Sequence, residues 1–163
     1  MKRRVYVETT IVSYLASRPS RDVVVAGRQQ VTHRWWEARR PDFDLVVSQV
    51  VLDEIRAGDP EAAARRLDIV VGLLLLDMTP EVAEFAAQLI ERVPLPLQAA
   101  ADAAHMAVAA YHRVDFVMTW NVAHIANAVL RRRVEDICRA AGYDAPILCT
   151  PDELMEDANG QTN

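Results

Sequence analysis

Ala99–Asn127 reads AAADAAHMAVAAYHR, then VDFVMTW, then NVAHIAN. The first segment is an Ala-rich helix, since Ala, Met and His tolerate helical geometry and nothing in it breaks a helix. The second is a short apolar run rich in β-formers, the kind that fills a buried parallel strand. A helix feeding a buried strand that feeds another helix is the rhythm of a layered α/β domain. Two residues do not suit plain packing. Asp102 sits in the first turn of an apolar helix, and Asn121 follows the carboxyl end of the strand. Ligands of open parallel sheets bind at the carboxyl ends of strands, so both polar groups stand where a site would be.

Outward from that stretch, the chain predicts one α/β domain over residues 1–156 with a polar tail at 157–163. Its 163 residues are enough to bury a sizeable core, and an apolar content of 52% with mixed charges excludes disorder. No apolar run reaches membrane-spanning length and no signal-peptide core follows Met1-Lys2-Arg3-Arg4, so a cytoplasmic protein is expected. Cys138 and Cys149 have no metal-ligand spacing and read as buried thiols. A net charge of −5 argues against a generally nucleic-acid-coating protein, yet clustered arginines leave room for a local basic surface.

Strand one is Arg4–Val7, after which Thr9 or Thr10 is expected to cap a helix through about Ala16. A long helix over Asp22–Arg40 ends at Pro41. Leu45–Ser48 is strand two, and a helix over Val50–Ala57 closes at Gly58. Asp59-Pro60 and Thr79-Pro80 each open a helix with a cap and a Pro at the first position. Strand three, Leu73–Leu76, lies between those helices. Pro94 and Pro96 separate the second from the Asp102 helix. A helix over Val122–Ala141, a strand at Ile147–Cys149 and a short last helix opened by the Thr150–Glu153 capping box complete the chain. This order predicts a three-layer αβα sandwich on a mostly parallel five-stranded sheet.

Glu8, Glu54, Asp102 and Asn121 all fall near strand ends or in the helices beside them. If strands one, two and four are neighbours, these groups converge above one edge of the sheet. Clustered carboxylates raise one another's pKa unless a cation neutralises them, and oxygen ligands favour Mg²⁺ or Mn²⁺ over zinc. Each residue also has a structural reading. Glu8 can accept from helix N–H groups, Glu54 can be a surface carboxylate beside Asp53, and Asp102 can complement a helix dipole. Asn121 can cap the following helix, and His105, one turn beyond Asp102, reads as a hydrogen-bonded packing residue.

YVETTIVSYL (6–15), SQVVLDEI (48–55) and ADAAHMAVAAYHRVDFVMTWN (101–121) together resemble a PIN domain, in particular the VapC-like toxins of type II toxin–antitoxin pairs. The resemblance spans nearly the whole chain. It implies a Mg²⁺- or Mn²⁺-dependent ribonuclease, a homodimer and a cognate antitoxin protein, with RNA as substrate. Carried over residue by residue, it implies Glu8, Glu54 and Asp102 as metal ligands, with Asn121 a fourth, auxiliary catalytic position. Thr9 and Thr119 match positions where the family often has a hydroxyl beside the acids.

Two positions depart from that pattern. Glu8 stands where the family usually has Asp, keeping the charge on a side chain longer by about 1.5 Å. Asn121 stands where the family has a fourth Asp, keeping an oxygen but losing a charge, which implies one well-held metal and a weak or absent second. Arg28, Arg34 and Asn127 are candidate RNA contacts. The Asp22–Arg40 helix, with Trp35 and Trp36 among its arginines, reads either as an RNA-guiding surface or as an amphipathic helix with buried tryptophans. The alternative to an active nuclease is a PIN-fold module that binds RNA or protein without cutting. A nucleotide-binding enzyme is disfavoured because no Gly-rich loop follows strand one, and a phospho-receiver because no strand end offers an acceptor aspartate in suitable company.

Overall fold

A computed structural model of the chain describes residues 1–93, 99–121 and 128–155. Its five strands are β1 (Arg3–Val7), β2 (Phe43–Ser48), β3 (Leu74–Leu76), β4 (Phe116–Met118) and β5 (Ile147–Cys149). They form one sheet in the order β3-β2-β1-β4-β5, with every pairing parallel. Val5, Tyr6 and Val7 are all fully buried. Because successive side chains of a strand point to opposite faces, helices must cover both sides of the sheet. The expected three-layer α/β architecture is therefore what the chain forms.

The described helices are α1 (Thr9–Ala16), α2 (Val23–Ala38), α3 (Gln49–Arg56), α4 (Pro60–Val70), α5 (Pro80–Arg92), α6 (Ala99–Tyr111) and α7 (Ala128–Ala140). Several caps fall where local chemistry puts them. Asp59 and Thr79 accept from the backbone N–H groups of Ala62 and Val82, each with proline at the head of the helix. Gly58 follows α3 at φ +88°, the left-handed turn a glycine supports best. Two expectations are corrected. The long helix ends at Ala38 rather than Arg40, because the Pro41 region winds into a 3-10 turn over Arg40–Asp42. The Thr150–Glu153 box does form, with Glu153 Oε2 accepting from Thr150 N at 2.8 Å, but it heads turns over 151–154 rather than a described helix.

Trp35 packs α2 onto the core. It is fully buried, stacks on Phe43 at 5.7 Å, and Phe43 meets Phe116 edge-on. Truncating such a core indole costs about 3–5 kcal/mol. Trp35 is thus a packing residue, while Trp36 is partly buried under Arg40. Among the described residues no helix is long and apolar enough to cross a membrane.

The sheet order fixes where a site can form. The chain steps from β1 to β2 and β3 on one side, then returns to place β4 and β5 on the other. The carboxyl ends of β1 and β4 flank this switch point, where doubly wound sheets open a crevice. Val7 pairs with Met118 and Tyr6 with Val46, so Glu8, Thr119 and Ser48 leave the sheet at one level.

Candidate active site

Glu8 is the first residue past β1 and the N-cap of α1. Its Oε2 accepts from the Thr10 backbone N–H at 3.0 Å, from the Thr10 hydroxyl, and from the Thr119 hydroxyl at 2.8 Å. Neither Thr9 nor Thr10 caps α1, contrary to expectation. A carboxylate that folds back on its own helix does so instead, and Thr10 is freed to bridge Glu8 and the Trp120 N–H, from which it accepts at 2.8 Å. The buried Thr9 hydroxyl makes no hydrogen bond among the described residues. The hydroxyls beside this acid are therefore those of Thr10 and Thr119.

With Oε2 engaged, Oε1 of Glu8 faces inward. His105 Nε2 lies 4.0 Å from it and 2.6 Å from Glu54 Oε1. Glu8, Glu54 and His105 present ligand atoms all within 4.8 Å of one another, with Glu8 and His105 buried and Glu54 at the rim. Glu54 reaches this point because it precedes Ile55, which is buried with Val51 one turn before it; Asp53, on the outer side, pairs with Gln49 at 2.7 Å. The His105 ring is fixed from behind. The Tyr6 hydroxyl contacts its Nδ1 at 2.6 Å and the buried Ser48 hydroxyl at 2.6 Å. Burial raises the Tyr6 phenol far above its ordinary pKa, opposed by the Ser48 bond and reinforced by Glu8 and Glu54, so Tyr6 stays a neutral bridge.

Asp102 takes a different partner. Asn121 Nδ2 donates to both of its carboxylate oxygens, at 3.1 and 3.3 Å. The Asn121 backbone N–H donates to Thr119 Oγ1 at 2.9 Å, and Thr119 donates to Glu8. A continuous chain of hydrogen bonds thus links Asp102, Asn121, Thr119 and Glu8 along the mouth of the β1–β4 crevice. All four acid-position residues named from sequence lie around that crevice. The close three-membered cluster, however, contains His105 in place of Asp102.

Of the candidate RNA contacts, Arg28 stacks over Trp120 at 5.3 Å, and the Trp120 indole donates to Thr32 at 2.7 Å. This ties α2 to the residue before Asn121. Arg34 is exposed and lies two residues beyond Thr32, about 200° around the helix. Asn127 lies outside the described residues, as does His124. On α7, Asp136 pairs with Arg139 at 3.1 Å. Both cysteines are buried and unbridged, and burial pushes the Cys138 thiol up to about 11 and that of Cys149 to about 12, which leaves them unreactive.

Sequence reasoning gave His105 a packing role and passed over Tyr6, Ser48 and Thr10. A signal was present in each case. His105 is three residues after Asp102 on one helix, so the two share a face. Tyr6 and Glu8 are two apart at a strand end, so they too point to one side. Ser48 could have been read only as an N-cap, yet it makes no side-chain cap bond and its hydroxyl is hydrogen-bonded with that of Tyr6.

No family model matches the sequence. No curated protein matches it either. Solved structures do resemble it. A chain of VapBC2 from Rickettsia felis, bound to a DNA fragment from its promoter, aligns with a TM-score of 0.58 and 15% identity over 90% of this chain and 98% of that one. Mycobacterium tuberculosis VapC20, a Sarcin-Ricin loop cleaving toxin, aligns with a TM-score of 0.59 and 19% identity over 76% and 95%. VapBC-1 from nontypeable Haemophilus influenzae gives 0.57 and 14% over 91% and 98%. Likeness across nearly the full length at such low identity establishes architecture: the chain has the α/β fold of the PIN-domain VapC structures.

Proposed function

We propose that this chain is a metal-dependent endoribonuclease acting as the toxin of a type II toxin–antitoxin pair. The observation that carries the reading is the meeting of Glu8, Glu54 and His105 at the sheet's switch point, on the fold of VapC toxins. Two of those atoms, Glu54 Oε1 and His105 Nε2, are buried without a hydrogen bond among the described residues. Such atoms fit a cation, since unpaired buried polar groups are costly. Glu8 and Glu54 would hold Mg²⁺ or Mn²⁺, with Asp102 and Asn121 supporting the site from its other side. A bound divalent ion supplies an activated water and stabilises charge developing on a phosphate.

The remaining roles belong to this chain's own groups. Thr10 and Thr119 orient Glu8 by holding Oε2, so that Oε1 keeps its aim. Arg28, Arg34 and Asn127 would contact the RNA, the arginines by neutralising its phosphates. The reading includes a homodimer, a cognate antitoxin covering the acidic crevice, and action in the cytoplasm. The antitoxin partner extends to this chain what the VapBC neighbours suggest; the homodimer and the cytoplasm follow from the resemblance of its motifs to VapC-like toxins.

A second reading has one observation in its favour. The Asn121 amide satisfies Asp102 without any cation, as suits a fold kept for binding RNA or protein without cutting. One experiment separates the two: cleavage of a structured RNA pool by purified protein with Mg²⁺, Mn²⁺ or EDTA, beside an identically purified Asp102→Asn variant. Metal-dependent cutting lost in the variant is the expected result. Folded, antitoxin-free protein that cleaves no RNA under any of these conditions would favour the binding module instead.

A further inference from the structure

Resting on the metal-dependent reading above, we infer that His105 is itself a metal ligand, making this a mixed nitrogen–oxygen site that prefers Mn²⁺ over Mg²⁺. One contact in the cluster does not close. His105 Nε2 and Glu54 Oε1 are 2.6 Å apart, yet neither atom makes a hydrogen bond among the described residues. The separation suits an N–H···O bond; the alignment does not. His105 is 1% exposed, so no bulk solvent relieves the mismatch. A cation that accepts a lone pair from each atom removes the conflict, and Glu8 Oε1 completes the face at 4.0 Å from the same nitrogen. Adjacent ligands of a six-coordinate ion with bonds near 2.1 Å lie about 3 Å apart, so the pair needs to open by only a few tenths of an ångström.

The shell behind His105 is built as ligating histidines require. A metal-binding imidazole has its other nitrogen held by a polar partner that fixes ring orientation and tautomer. Here Nδ1 can donate to the Tyr6 oxygen while Tyr6 donates to Ser48, an arrangement that leaves the Nε2 lone pair facing Glu8 and Glu54. Tyr6, Ser48 and His105 are each essentially inaccessible, so the relay is locked by packing. The donor set then decides selectivity. Carboxylate and water oxygens suit Mg²⁺, whereas an imidazole shifts preference along the first-row series toward Mn²⁺ and its heavier neighbours. Asn121 acts in the same direction, because its uncharged amide lowers the negative charge that a hard Mg²⁺ favours.

The test uses untagged, EDTA-stripped protein loaded with Mn²⁺. Binding is followed by the free-ion EPR signal, and bound Mn²⁺ is examined by electron spin-echo modulation for coupling to a ¹⁴N nucleus. Wild type is expected to show directly coordinated imidazole nitrogen. Folded His105→Gln should still bind Mn²⁺ without that coupling, with affinity about 10-fold weaker and Mg²⁺ affinity changed far less. Tyr6→Phe keeps the ligand but loses its anchor, and should retain the nitrogen signal with affinity about 10-fold lower. Wild-type Mn²⁺ without nitrogen coupling, or coupling that persists in His105→Gln, overturns this inference while leaving the metal-dependent reading intact. Absence of Mn²⁺ and Mg²⁺ binding by folded wild type overturns both.

Discussion

The two halves of the crevice solve the same electrostatic problem in opposite ways. On the Glu8 side, two carboxylates and an imidazole crowd within 4.8 Å and leave buried atoms without a hydrogen bond among the described residues. On the Asp102 side, an amide donates to both oxygens of the carboxylate and the pair is closed. Under the proposed reading, one half is finished by a cation from outside the chain; the other is finished by the chain itself. The difference comes down to a single functional group. An aspartate at 121 would put two anions about 3 Å apart and need a cation, whereas Asn121 replaces that cation with an N–H donor.

The largest expected effect comes from breaking the open half. Glu8→Gln removes the charge that is aimed into the cluster, and RNA cleavage should fall by about 100-fold or more in a Mn²⁺ assay. Next is conversion of the closed half into an open one. Asn121→Asp should lower the melting temperature in EDTA by roughly 3 °C, the equivalent of about 1 kcal/mol in a chain of this size. Added Mn²⁺ should restore it, and scanning fluorimetry with and without metal reads both. The hinge between the halves is Thr119, which donates to Glu8 and accepts from Asn121. Thr119→Val should cost about 1–2 kcal/mol in urea unfolding and weaken metal binding as Glu8 loosens. The smallest effect is at Thr32. Thr32→Val removes the acceptor for the Trp120 indole and should cost about 1 kcal/mol with little change in cleavage.

The same contrast explains what the sequence could disclose. Strand periods, helix caps at Asp59 and Thr79, and the proline positions are local signals, and they located nearly every element. The acids Glu8, Glu54 and Asp102 stood out through the resemblance of their motifs to a PIN domain; spacing alone put them only near strand ends. The partner each would choose was not legible. Whether Asp102 meets a metal or an amide depends on how β4 delivers Asn121 across a gap of 19 residues. His105 looked like a packing histidine because burial and hydrogen bonding are indeed what surround it. Only the meeting of α3 with α6 brings Glu54 to its other nitrogen. The mis-assigned cap of α1 has a similar origin: propensity favours threonine there, and local bonds from Thr10 with a tertiary one from Thr119 hold Glu8 in its place.

Glu8 carries two duties on one side chain, with Oε2 held by α1 and β4 and Oε1 aimed at His105 and Glu54. Evolution at this position is therefore constrained by reach rather than by charge alone. A shift to the shorter aspartate keeps the anion but cannot hold both appointments unless Thr10, Thr119 or the start of α1 moves with it. The residue is consequently epistatic with its neighbours: Glu8→Asp alone is a loss, and it becomes neutral only in a background where those hydroxyls have been re-spaced.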